Sequence, residues 1–77
     1  MTSRTIHLAG VEDIKELCNA AVEMPFDIDI LSGNYIIDAK SIMGIFSLDL
    51  NQPMTVRIDA DDAKAQLFLQ KIAGLCK

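Results

Sequence analysis

The chain has 77 residues, 51% of them apolar, with a formal net charge of −4. A chain this short can feed only one hydrophobic core, so residues 1–77 are read as one domain, and such a core supplies only about 3–5 kcal/mol of net stability, which argues against a large catalytic cleft. The apolar content excludes disorder, and seven Lys and Arg scattered singly along an acidic chain exclude the basic footprint that nucleic acid or anionic lipid requires.

Thr5–Leu8 alternates polar and apolar residues, with Ile6 and Leu8 on one side, as a half-buried strand does. Gly10 then precedes Val11, Ile14, Leu17, Cys18, Ala21 and Val22, whose three-four spacing lays an apolar stripe along a helix, with Glu12 and Asp13 at its positive end. Pro25 stops this helix. Phe26, Ile28 and Ile30 alternate with Asp27 and Asp29 as a one-face-in strand, and Ser32, Gly33 and Asn34 turn the chain into a second β-rich run over Tyr35–Ala39, which makes a hairpin.

Ser41 is placed to cap a short helix in which Ile42, Ile45, Phe46 and Leu48 share a face, although Gly44 weakens its propensity. Asn51, Gln52 and Pro53 turn into the strand Met54, Val56 and Ile58, after which Asp61 and Asp62 open a last helix. Its stripe is Ala65, Phe68, Leu69, Ile72, Leu75 and Cys76, and Lys77 meets its negative end. The order βαββαβα, with strands that alternate one face in and one face out, predicts an α+β fold: an open-faced two-layer sandwich of a four-stranded antiparallel sheet with three helices on one face.

Cys18 and Cys76 fall on apolar helix faces and read as free thiols rather than as a disulfide or a redox pair. Asp27 and Asp29 read as a solvated sheet face, because a metal would need more oxygen ligands than they supply. No leader-like segment or membrane-length apolar run occurs, so the expected place is the cytoplasm and the expected partners are proteins, with no metal or cofactor and no nucleic acid or membrane.

The run Asp38-Ala39-Lys40-Ser41-Ile42-Met43-Gly44-Ile45-Phe46-Ser47-Leu48 resembles the regulatory-serine segment of HPr, the phosphocarrier of the bacterial sugar phosphotransferase system, whose usual form is Lys-Ser-Ile-Met-Gly-Val-Met-Ser-Leu. The resemblance covers residues 26–77 well and the first 25 loosely. It implies a small carrier that takes a phosphoryl group from enzyme I onto a histidine and passes it to sugar-specific permease components. It also implies a serine, here Ser41, that a dedicated HPr kinase/phosphorylase modifies to signal to a transcriptional regulator. Ile42, Met43 and Phe46 match the apolar positions through which the family docks enzyme I, the kinase and the regulator, and Lys40, a cation beside a phosphate on Ser41, joins them as a partner-binding residue.

The family carries its histidine in Gly-x-His-x-Arg-Pro at the first strand-to-helix turn, where this chain reads Leu8-Ala9-Gly10-Val11-Glu12-Asp13-Ile14. A phosphorylated imidazole needs helix-terminal N–H donors and preferably a cation beside it, whereas Glu12 and Asp13 put carboxylates there. His7, the sole histidine, shares strand parity with Thr5, which points it to the open sheet face about 10 Å before the helix.

The expectation is therefore not an enzyme but a regulatory adaptor of the phosphotransferase system, monomeric or weakly dimeric, with a phosphorylatable Ser41 and no phosphohistidine transfer. The alternatives are an atypical carrier using His7 and an interaction module unrelated to sugar transport. A short helix cannot bury Ile42, Met43, Ile45, Phe46 and Leu48 together, so part of this set is expected on the surface as an interface, with Ile45 and Leu48 inward.

Overall fold

The computed structural model describes residues 1–76. Four strands, β1 (Thr2–Ile6), β2 (Ile28–Ser32), β3 (Tyr35–Asp38) and β4 (Met54–Ile58), form one antiparallel sheet in the order β1-β4-β2-β3. Helices α1 (Val11–Val22), α2 (Ile42–Phe46) and α3 (Asp62–Lys71) complete the chain, followed by a 3-10 turn over Ala73–Leu75.

The expected alternation sets the sheet's inner face. Ile28 and Ile30 from β2, Met54, Val56 and Ile58 from β4, and Ile6 from β1 are all buried beneath the helices. Against them pack Ile14, Leu17, Cys18 and Ala21 of α1, and Ala65, Phe68 and Leu69 of α3. Burying a side chain such as Phe68 stabilises the fold by about 1.5–3 kcal/mol, so this layer of large residues is what holds so small a domain together. On the open face, Asp29 of β2 lies opposite Arg57 of β4, and their side chains meet at 2.9 Å.

Several boundaries differ from expectation, for reasons that pairing makes plain. The first strand is Thr2–Ile6 rather than Thr5–Leu8, because its length is dictated by β4, from Thr2 opposite Ile58 to Ile6 opposite Met54. Leu8 is still buried, but in the loop beyond the strand. The second strand runs over Ile28–Ser32 rather than Phe26–Ile30, with its parity unchanged, and Phe26 packs half-buried ahead of it.

In α1 the stripe holds at its centre, but Val11 and Val22, in the two end turns, are exposed. The last helix is shorter than its apolar stripe. Ile72 leaves helical geometry (φ −115°, ψ 23°), and the 3-10 turn brings the Leu75 carbonyl to the His7 amide at 3.0 Å. That tightening buries Leu75 and joins the C-terminal turn to the exit of β1. The expected place of Lys77 lies outside the described residues.

The β2–β3 turn has φ +58° at Gly33 and no positive φ at Asn34, the pattern of a type II′ turn, in which the first central position favours glycine. Gly44 has a different task. A Cβ there would stand 2.7 Å from Cγ2 of Ile37, so its lack of a side chain is what lets α2 press onto β3.

Candidate functional site

Two places bear on function: the corner between β1 and α1, and the exposed face of α2. At the corner the chain leaves the sheet after Ile6, buries Leu8, and enters α1 through an extended Gly10, whose carbonyl accepts the Ile14 amide at 3.2 Å. Asp13 reaches back from the first turn, and its Oδ2 accepts the Ala9 amide at 2.8 Å. Its carboxylate thus occupies the corner itself, and Glu12 stands exposed beside it. Two carboxylates at one helix start satisfy the helix dipole but repel any further anion.

His7 lies before this corner. Its backbone amide is tied to Leu75, its side chain is exposed, and among the described residues no hydrogen bond involves its imidazole. Sequence reasoning set Glu12 and Asp13 in the first turn but missed that Asp13 closes on Ala9. The spacing of an acidic residue four positions after a free loop amide was the available signal, of the same kind as a capping box.

The α2 segment is built as a rigid pedestal. Ala39, fully buried, donates its amide to the Ile28 carbonyl at 2.8 Å, and the Ser41 amide is donated to the Asp38 carbonyl at 2.9 Å. The Ser41 hydroxyl accepts the Gly44 amide at 3.4 Å, so the serine is an N-cap, and it remains exposed. Lys40 is half-buried. Its backbone amide is held by the Asp38 carboxylate at 2.9 Å, its Nζ donates to the Met24 carbonyl at 3.0 Å, and its carbonyl accepts from the Cys18 thiol at 3.5 Å. The ammonium thus braces the loop after α1 rather than standing free beside Ser41.

The five apolar side chains around α2 divide as the length of the helix requires. Ile45 is fully buried, Ile42 and Leu48 are half-buried, and Met43 and Phe46 are 78% and 45% exposed. Met43 and Phe46, three apart on one helix, form a face with Ser41 at its N-terminal end. Met and aromatic side chains are favoured at protein interfaces, where large mobile or flat apolar surfaces bury much area. The structure therefore groups Ser41, Ile42, Met43 and Phe46 on one element and gives Lys40 an internal partner.

A family model described as the PTS HPr component phosphorylation site matches residues 13–77. The chain belongs to the HPr family. Among solved structures, the crystal structure of HPr-C-His from Thermoanaerobacter tengcongensis superposes with a TM-score of 0.76, covering 96% of this chain and 93% of that one at 23% identity, which establishes the fold as HPr-like. No curated protein matches the chain.

This is a phosphocarrier-type domain of the phosphotransferase system, a family that works through protein partners. The matched span contains all of α2 with Ser41, and it begins at Asp13, after the lead-in Leu8–Gly10 and the first two residues of α1, Val11 and Glu12. Among the described residues no helix is long and apolar enough to cross a membrane.

Proposed function

We propose that this HPr-family chain, acting as one domain over residues 1–77, is a regulatory adaptor of the sugar phosphotransferase system that binds protein partners through α2 and does not carry phosphohistidine. The observation that carries this reading is the Asp13 carboxylate seated 2.8 Å from the Ala9 amide. An anion already stands at the helix start, and a second anion at about 4–5 Å would be repelled by roughly 1 kcal/mol in water and by more at a protein surface.

Ser41 is the proposed modification site. Its hydroxyl is exposed at a helix N-cap, where a phosphate meets free N–H groups and leaves the fold intact while changing the surface beside Met43 and Phe46. The partners fitting this surface are an HPr kinase/phosphorylase-like protein, an enzyme I-like protein or a transcriptional regulator, in the cytoplasm where such systems work. The domain itself is monomeric or weakly dimeric.

Incubation with phosphoenolpyruvate and enzyme I is expected to give no acid-labile phosphohistidine, and stoichiometric labelling of His7 would overturn the adaptor reading. ATP with the cognate kinase is expected to phosphorylate Ser41, and not Ser41→Ala. Phe46→Asp is expected to abolish partner binding with the thermal unfolding curve preserved, since that ring is already half in water.

A further inference from the structure

A cleft of about 700 Å³ lies between the β2–β3 turn and the segment joining α2 to β4, away from Ser41 and from the β1–α1 corner. Its volume falls within the roughly 300–1,000 Å³ typical of small-molecule sites, and its walls come from two turns, the usual source of binding groups on a rigid scaffold.

Ser32 points to a ligand there. It occupies the third inward register position of β2, after Ile28 and Ile30, where the sheet's alternation demands an apolar side chain, and it is only 8% exposed. Among the described residues no hydrogen bond involves its hydroxyl, yet no buried side-chain polar atom is sealed from solvent without a partner. The hydroxyl therefore opens into the cleft that Ser32 lines. The protein thus leaves a hydroxyl in a core register to be paired from the cleft, by water or by a ligand's hydroxyl.

The rest of the lining selects the chemistry. Asn34 and Gln52 each present an amide donor and an amide acceptor. Ser47 donates its hydroxyl to the Gly44 carbonyl at 2.6 Å, which leaves its lone pairs for a donor from outside, and Asp49 spends one oxygen on the Asn51 amide and keeps the other. Tyr35, 68% exposed, supplies a ring face for an apolar patch of C–H groups. No Lys, Arg or His lines the cleft, so an anion would meet only the Asp49 carboxylate.

We infer that this cleft binds a neutral polyhydroxylated ligand of monosaccharide size, held by hydroxyl hydrogen bonds to Ser32, Asn34, Asp49 and Gln52 and stacked on Tyr35. This site is independent of the adaptor reading.

The test is titration of the ¹⁵N-labelled full chain with D-glucose, D-mannose and myo-inositol, and with glucose 6-phosphate as the charged counterpart. The expected result is saturable amide shifts confined to residues 32–35 and 47–53 with at least one neutral probe, and weaker binding of the phosphate ester. Ser32→Ala is expected to weaken binding about fivefold, the worth of one neutral hydrogen bond. Tyr35→Ala, a change at an exposed position that leaves the fold in place, is expected to weaken it at least as much. Absence of saturable shifts with all three neutral probes, tighter binding of glucose 6-phosphate, or unchanged affinity in folded Tyr35→Ala would overturn the inference.

Discussion

Replacing Asp13 by alanine removes the contact on which the corner is built. The Oδ2 bond to the Ala9 amide, at 2.8 Å, acts as a reversed cap, and losing a cap costs about 0.5–2 kcal/mol. Loss of a charge from the first turn adds about 0.3–1 kcal/mol at low salt, while the better helix propensity of alanine returns about 0.5 kcal/mol. The net is a destabilisation of about 1 kcal/mol, which for a domain of this size lowers Tm by about 4–8 °C.

Asp13→Asn keeps an acceptor but not the charge, so its loss should fall between those of wild type and Asp13→Ala. Thermal and urea unfolding followed by circular dichroism measure both, with the urea m-value unchanged if only stability moves. An Asp13→Ala variant with wild-type Tm, or an Asn variant less stable than the Ala variant, would refute the idea that this carboxylate holds the corner closed.

Gly44→Ala should destabilise by up to about 2 kcal/mol, because overpacking at about 1–3 kcal/mol outweighs a helix-propensity gain of about 1 kcal/mol. Since the clashing atom is Cγ2 of Ile37, 2.7 Å away, adding Ile37→Ala should recover at least about 0.5 kcal/mol in a double-mutant cycle. Ser41→Ala should cost only about 0.5 kcal/mol, the low end for an N-cap, because the hydroxyl bond to Gly44 is 3.4 Å long and exposed; a loss above about 2 kcal/mol by urea denaturation would show a larger structural role.

Burial pushes the Cys76 thiol up from its ordinary 9.0, against the lowering effect of the nearby Arg4. The folded chain therefore holds that proton longer than the unfolded chain, and this group's contribution to stability is full below pH 9 and is lost as the pH rises beyond it. Alkylation by iodoacetamide at pH 8 should accordingly be slower at Cys76 than in a free peptide, and slower still at the buried Cys18.

The sheet was legible because its signal is local. Phe26 to Ile30 and Met54 to Ile58 alternate with period two, and a half-buried strand next to a wet face leaves that mark whatever its neighbours are. The strand ends were not legible, since Thr2 and Ile28 become first residues only because both oppose Ile58 of β4. For the candidate site, Ser41 as an N-cap and the surplus of apolar residues around α2 followed from spacing and from the short length of the helix. That Met43 and Phe46 are the exposed pair, while Ile45 is buried and Lys40 turns to Met24, depended on how α2 lies on β3 and against α1.

By itself, then, the order of residues determined the element types, the inward parity of β1, β2 and β4, the family, and the lack of a histidine between Leu8 and Ile14, because periodicity and residue identity are properties of the chain alone. Only the tertiary structure decided what closes the β1–α1 corner and what opens beside the β2–β3 turn. Asp13 meets Ala9 across a four-residue spacing that permits the bond without forcing it, and Ser32 meets a cleft built with residues 47–53, an approach between distant segments that no local pattern encodes. Such approaches are set by the packing of whole layers, in which a shift of about one ångström makes or breaks a hydrogen bond.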